Sequence, residues 1–125
     1  MGMGTMPGNA RLTVAHIRGK IMSRKALYIR HKAQPGKREE VKRIWEKYAR
    51  AYIADADGQI AYFYGFDDND PDVIVAFQVH AGETGADDFT RQSWYPDYER
   101  ETAALLAEPS EFRSITPQWI KGTAV

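Results

Sequence analysis

Cysteine is missing from all 125 residues of this chain. Its absence excludes disulfides, thiolate metal sites and a cysteine nucleophile, and it fits a reducing, cytoplasmic setting, which is the location expected here. Also lacking is any apolar run of about 18 residues, so no membrane-spanning helix is expected. Charge of one sign is not in excess either, because 17 Lys and Arg balance 17 Asp and Glu. A nucleic-acid or anionic-membrane partner would need Lys and Arg in surplus on one face, and neither is expected. No Gly-rich phosphate loop, nucleophile elbow or His pair at helical metal-binding spacing occurs.

What the chain does have is 43% hydrophobic and 27% charged residues, the balance of one globular domain. Its length is too short for two independent cores. Aromatic residues make up 12%, with seven Tyr, five Phe and three Trp, enough to fill a core or to wall a pocket for a flat ligand. Met1 to Ala10 lack the apolar centre of a signal peptide and read as a flexible leader. Residues 1–24 are taken as an N-terminal extension, within which residues 11–22 could add an edge strand, and residues 25–121 as the domain.

Within the domain, Lys25 to Lys32 alternate, with Leu27, Ile29 and His31 pointing one way, and predict a half-buried strand. Pro35 and Gly36 break it. Val41, Ile44, Trp45, Tyr48 and Tyr52 recur at helical spacing over Lys37 to Ala54. Asp57-Gly58 ends that helix. Gln59 to Phe66 reads as a second strand, with Ile60, Tyr62, Tyr64 and Phe66 on one face. Val73 to His80 reads as a third, apolar on both faces like a central strand. The short Asp67–Asp72 connection makes these two a hairpin. A second helix begins near Ala86, is kinked or restarted at Pro96, and continues through Tyr98, Thr102, Leu105 and Leu106. Glu111 to Trp119 is the last strand, held to an edge by Pro117. The order β-α-β-β-α-β predicts an α+β, ferredoxin-like fold, a four-stranded antiparallel sheet with both helices on one face. The other face, with residues such as Leu27, Ile29 or Phe63, then needs a cover, and a second copy related by two-fold symmetry supplies it.

Several short pieces of this order have a familiar spacing: Pro35-Gly36-Lys37 entering the first helix, Asp57-Gly58 after it, and Asn69-Asp70-Pro71-Asp72 before the third strand. The spacing to Phe89, and from there to Pro96 and Tyr98, continues it. Together they make Ala26 to Lys121 resemble the antibiotic biosynthesis monooxygenase domain family of the dimeric α+β barrel superfamily. The resemblance implies a homodimer acting on a small aromatic molecule. Some members oxidise phenols or quinols with molecular oxygen and no cofactor, others degrade haem, and many have no known activity. The chain departs from the pattern at His80, where many members have Trp, and at Gln92, where many have His.

Cofactor-free oxygenation asks a protein for a base near neutral pH, a dry flat pocket and a donor for the phenolate oxygen. His80, at a strand end, is the expected base. His31 lies in a strand of open facing, and His16 in the leader. Tyr64 and Gln92 are the expected polar contacts. Tyr62, Phe66, Trp94 and Tyr95 are expected to wall the ring, with Arg91 reaching its polar end. No cofactor and no metal is expected. The alternatives are a haem-degrading monooxygenase of the same superfamily and a non-catalytic small-molecule-binding dimer. The acidic turn lacks the Gly and terminal Glu of a calcium loop and reads as an Asx-rich hairpin turn.

Overall fold

A computed structural model of the chain describes residues 24–81 and 85–122. The extension, apart from Arg24, and with it the edge strand and His16, lies outside the described residues. Strands β1 (Lys25–Lys32), β2 (Gln59–Phe66), β3 (Val73–His80) and β4 (Glu111–Ile115) form one antiparallel sheet in the order β2-β3-β1-β4. Helices α1 (Arg38–Tyr48) and α2 (Arg50–Asp55) follow β1, and α3 (Gly85–Thr90) and α4 (Tyr95–Ala103) follow β3. This is the ferredoxin-like α+β arrangement read from the sequence. Among the described residues no helix is long and apolar enough to cross a membrane.

Register decides which side chains meet the helices. Leu27, Gln78 and Tyr62 lie side by side across three strands, as do Ile29, Ala76 and Tyr64, and then His31, Ile74 and Phe66. This face looks toward the helices. Leu27 and Ile29, expected on the uncovered side, therefore sit on the covered one, because residues two apart share a face with Tyr62 and Tyr64. Phe63 does face away, 55% exposed and stacked on Phe77. A bulge between Gln59 and Ala61 takes Ile60 out of the expected alternation and leaves it exposed.

The helical stretches are shorter than their patterns. The first is interrupted at Ala49, although Ile53 N–H still reaches Ala49 O at 2.9 Å. Pro96 restarts the second rather than kinking it, from the first turn of α4. That helix stops at Ala103, short of Leu105 and Leu106, because the chain there is drawn onto the end of β1. Gln34 N–H donates to Leu105 O, Ala107 N–H donates to Lys32 O, and Leu106 bridges Ala33. β4 ends two residues before Pro117, which has no N–H to offer a ladder.

The core knot is Ala33, Val41 and Ile74, fully enclosed, with Tyr64, Phe66, Leu105 and Leu106 packed around it. Beside it, Gly36 at φ +80° turns the chain into α1 and donates to Asp72 Oδ1. The acidic turn spends its carboxylates on its own amides: Asp67 Oδ1 accepts from Asn69 and Asp70, and Asp70 Oδ1 from Asp72. Arg38 ties that turn to α1. Its Nη1 donates to the carbonyls of Asp67, Asp70 and Val73 at 2.9–3.2 Å, and its guanidinium lies 3.9 Å over the Phe66 ring.

Hydrogen bonds from a charged donor are worth about 1.5–3 kcal/mol, and Arg38 adds one to each of three carbonyls, two of which also accept a backbone N–H. Arg38→Met keeps the stem and loses the head, and is expected to cost about 2 kcal/mol in urea unfolding. Arg113→Met, at an exposed pair with Glu111, is expected to cost under about 0.5 kcal/mol. Equal losses would show that the turn does not depend on Arg38.

Candidate functional site

The core knot closes one end of the sandwich, and the rest of it stands open. Between the sheet and α3–α4 lies a cavity of about 820 Å³, at the upper end of the ~300–1,000 Å³ that hold small ligands. Its floor is the sheet face carrying Leu27, Ile29, His31, Gln78, Tyr62 and Tyr64. Phe89, Tyr95, Tyr98 and Thr102 form the helical side, and Ser110 and Phe112 close the β4 edge. Glu99 and Glu108 also line the cavity, and among the described residues no Lys or Arg does.

Trp45 holds the tyrosine side upright. Its ring stacks on Tyr64 at 4.1 Å between centroids and on Tyr62 at 6.0 Å, and its Nε1–H donates to the Tyr62 hydroxyl at 3.3 Å. Tyr64 then has its hydroxyl buried without a protein partner, and so has Thr102. Burial pushes the Tyr62 phenol up to about 12, and raises Tyr64 and Tyr98 further. All three stay protonated at neutral pH and remain hydrogen-bond donors.

His31 is the imidazole of the cavity wall. It is 7% exposed, its Nδ1 lies 2.5 Å from Ser110 Oγ, and Phe112 meets its ring edge-on. Desolvation lowers its pKa to about 4, so the ring is neutral across the physiological range. Nε2 has no protein hydrogen bond among the described residues, and in the tautomer whose Nδ1–H donates to Ser110 Oγ its lone pair is free to take a proton.

Of the residues expected at a site, Tyr62, Tyr64 and Tyr95 come together on the cavity wall. His80 does not reach it: at 2% exposure it ends β3, with Nε2 3.0 Å from Gln78 Oε1, and Gln78 is the one that faces the cavity. Gln92 lies between α3 and α4 and donates to Asp88 O. Arg91 is exposed and pairs with Asp88. Trp94 packs among Tyr48, Tyr52, Phe89 and Tyr98. It is not on the cavity wall, because its ring is taken up by that cluster at the start of α4. Phe66 lies under Arg38 and lines a separate groove with Lys42 and Trp45. His31, Gln78, Tyr98 and Thr102 were not among the expected site residues. Their signal was a polar group continuing an apolar face, His31 after Leu27 and Ile29, and Thr102 after Tyr98.

No protein-family model matches the sequence, and no curated protein matches it. Solved structures do. SnoaB from Streptomyces nogalater, a cofactor-independent oxygenase solved as a variant, superposes with a TM-score of 0.68 at 16% identity, over 80 to 100% of each chain (81% of this one, 99% of SnoaB). A protein of Chloroflexus aurantiacus with a provisional assignment as an antibiotic biosynthesis monooxygenase gives 0.67 at 22% identity, over 80% of this chain and 98% of that one. Rv0793 from Mycobacterium tuberculosis gives 0.71 at 17%, over 79% and 99%. At these identities the likeness speaks for architecture: the chain has the α+β fold of the antibiotic biosynthesis monooxygenases.

Proposed function

We propose that this protein is a cofactor-independent monooxygenase that oxidises a small phenolic or quinol compound in the cavity, working as a homodimer. The observation that carries the reading is a tyrosine-walled cavity with a neutral imidazole, His31, and the Tyr62 and Tyr98 phenols on its wall. The architecture it shares with SnoaB supports the same direction.

Electrons for such a reaction come from the substrate. Deprotonation makes the ring electron-rich enough to reduce oxygen, and the radical pair recombines at carbon. For a naphthol, the ring C–H para to the hydroxyl becomes C=O. One oxygen atom enters the ring, and the other leaves as water with the ring and hydroxyl hydrogens. The difficult step is the first. A phenol near pKa ~10 stands about six units above an imidazole at about 4, roughly 8 kcal/mol uphill. An imidazolium–phenolate pair in a partly buried site returns about 4 kcal/mol. Charge-assisted bonds from hydroxyls on the cavity wall, such as those of Tyr62 and Tyr98, add about 1.5–3 kcal/mol each. The sum is near zero, so His31 can act as the base only because the donors are there. His80, the base expected from sequence, has Nε2 engaged with Gln78 and would act indirectly.

The dimer reading rests on the sheet face turned away from the helices, where Phe63 and Ile115 are exposed and Phe63 stacks on Phe77. Aromatic groups at such a level of exposure are covered at stable interfaces.

Two outcomes are expected. Oxygen uptake with 1-naphthol and a panel of quinols, without reductant, should show turnover, with one atom of labelled oxygen in the quinone formed from naphthol. His31→Gln should lower kcat/KM about 10²–10⁴-fold, and wild-type kcat/KM should stay level from pH 8 down to about 5 and fall only toward His31's pKa of about 4. No uptake, or uptake unchanged in His31→Gln, sinks the catalytic reading; bound naphthol without uptake would leave a binding protein. In sedimentation, wild type should run as a dimer and Phe63→Lys should shift it toward monomer, whereas a monomeric wild type would refute the dimer.

A further inference from the structure

Gln78 is a buried amide whose two ends are treated differently. Its Oε1 lies 3.0 Å from Gln59 Nε2 and 3.0 Å from His80 Nε2. Its Nε2 donates to no protein atom among the described residues, although the side chain lines the cavity between Leu27 and Tyr62. His80 itself is kept neutral by burial, so it carries one N–H, and which nitrogen holds that proton depends on the bond it makes.

Two arrangements satisfy the distances. In the first, Gln59 Nε2–H and His80 Nε2–H both donate to Gln78 Oε1, and the buried groups left unpaired are acceptors, Gln59 Oε1 and His80 Nδ1. In the second, both amides are flipped, and the groups left unpaired become donors, a Gln59 N–H and a His80 Nδ1–H. Buried unpaired N–H groups are scarcer in folded proteins than under-satisfied acceptors. The first arrangement is therefore the favoured one, and it turns the Gln78 N–H into the cavity.

We propose that His80 and Gln59 hold Gln78 with its amide N–H facing the cavity, so that the site selects an aromatic ligand carrying an acceptor oxygen, a carbonyl or a phenolate, at the β3 side. His80 is a positioning residue that acts through Gln78. The inference deepens the proposed function, since it rests on the cavity being the ligand chamber. It adds an amide donor to the Tyr62 and Tyr98 hydroxyls on the wall, and all three call for oxygen lone pairs on the ligand. Glu99 on the wall, with no Lys or Arg lining the cavity among the described residues, favours a ligand without a carboxylate, while Glu108 is paired with Arg30.

The test compares 1,4-naphthoquinone with naphthalene, which has the same ring and no acceptor, by calorimetry. It also follows the infrared carbonyl stretch of the bound quinone, in wild type, Gln78→Leu, His80→Leu and His80→Gln. Loss of one neutral hydrogen bond is expected to weaken the quinone about tenfold in Gln78→Leu and in His80→Leu. Naphthalene should change less than about twofold. The carbonyl stretch should be lowered in wild type and in His80→Gln, whose amide N–H can take the place of the imidazole Nε2–H, and should return to the free value in both Leu variants. Quinone binding indifferent to Gln78→Leu, an unshifted carbonyl in wild type, equal losses for both probes, or no binding of either probe would each overturn the proposal. If His80→Leu does not fold, Gln78→Leu and the wild-type stretch decide alone. Oxygen uptake without a carbonyl shift removes this inference and leaves the oxygenation reading; a shift without uptake does the reverse.

Discussion

Everything in this molecule hangs from the small knot of Ala33, Val41 and Ile74, where α1 and the segment after α4 are drawn against the sheet. Small and branched side chains let backbones approach closely there, and the Ala33–Leu106 bridge fixes the return of the chain onto β1. At the other end large rings stand between the layers. Tyr62, Tyr64 and Tyr98 line the space between sheet and helices, and Trp45 braces the two on β2 by stacking on both. A sandwich pinned at one end and propped at the other leaves a wedge-shaped space. The cavity is thus a consequence of how the layers are held apart, by the packed knot on one side and by the rings of Tyr62, Tyr64 and Tyr98 across the rest.

The same rings set the electrostatics. They exclude water without supplying compensating charge, so the tyrosines and the imidazole on the wall are held in their neutral forms, the tyrosines by a raised pKa and His31 by a lowered one. A wall of neutral donors around one neutral acceptor nitrogen is poor at holding an ion that arrives charged. It is well suited to a neutral molecule that becomes charged inside, because the donors are already oriented and the charge separation is worth more where water is excluded. Glu99 works in the same sense against incoming anions, whereas the charge of Glu108 is met by Arg30.

Strand identity, helix identity and their order were legible because alternation and helical spacing are local signals, clear from Lys25 to Lys32 and again from Val73 to His80. The ends of elements were less so. Leu105 and Leu106 continue a helical pattern in sequence, but their backbone groups are taken by Gln34 and the Ala33 bridge, a tertiary demand that no window on the chain contains. Three wall residues, Tyr62, Tyr64 and Tyr95, could be named because aromatic rings on one strand face or a helix start advertise themselves. His31 was weighed as a base but placed behind His80, for a reason that is also physical. Its partner Ser110 is 79 residues away, and only the pairing of β1 with β4 brings the two within 2.5 Å.

The two described histidines differ in which nitrogen is free. Both lie on the helix-facing side of central strands, both are buried, and burial keeps both neutral. His31 spends Nδ1 on Ser110 and leaves Nε2 without a protein partner, while His80 spends Nε2 on Gln78 and leaves Nδ1 enclosed. An imidazole can exchange a proton with a ligand only through a nitrogen the ligand can reach. Nδ1 of His80 is sealed, so proton transfer there would need the packing to open, whereas His31 needs only an occupant in the cavity. In the proposed site the division of labour follows from this geometry. The reachable lone pair takes the proton, and the unreachable imidazole can influence the ligand only by fixing the amide that stands between them.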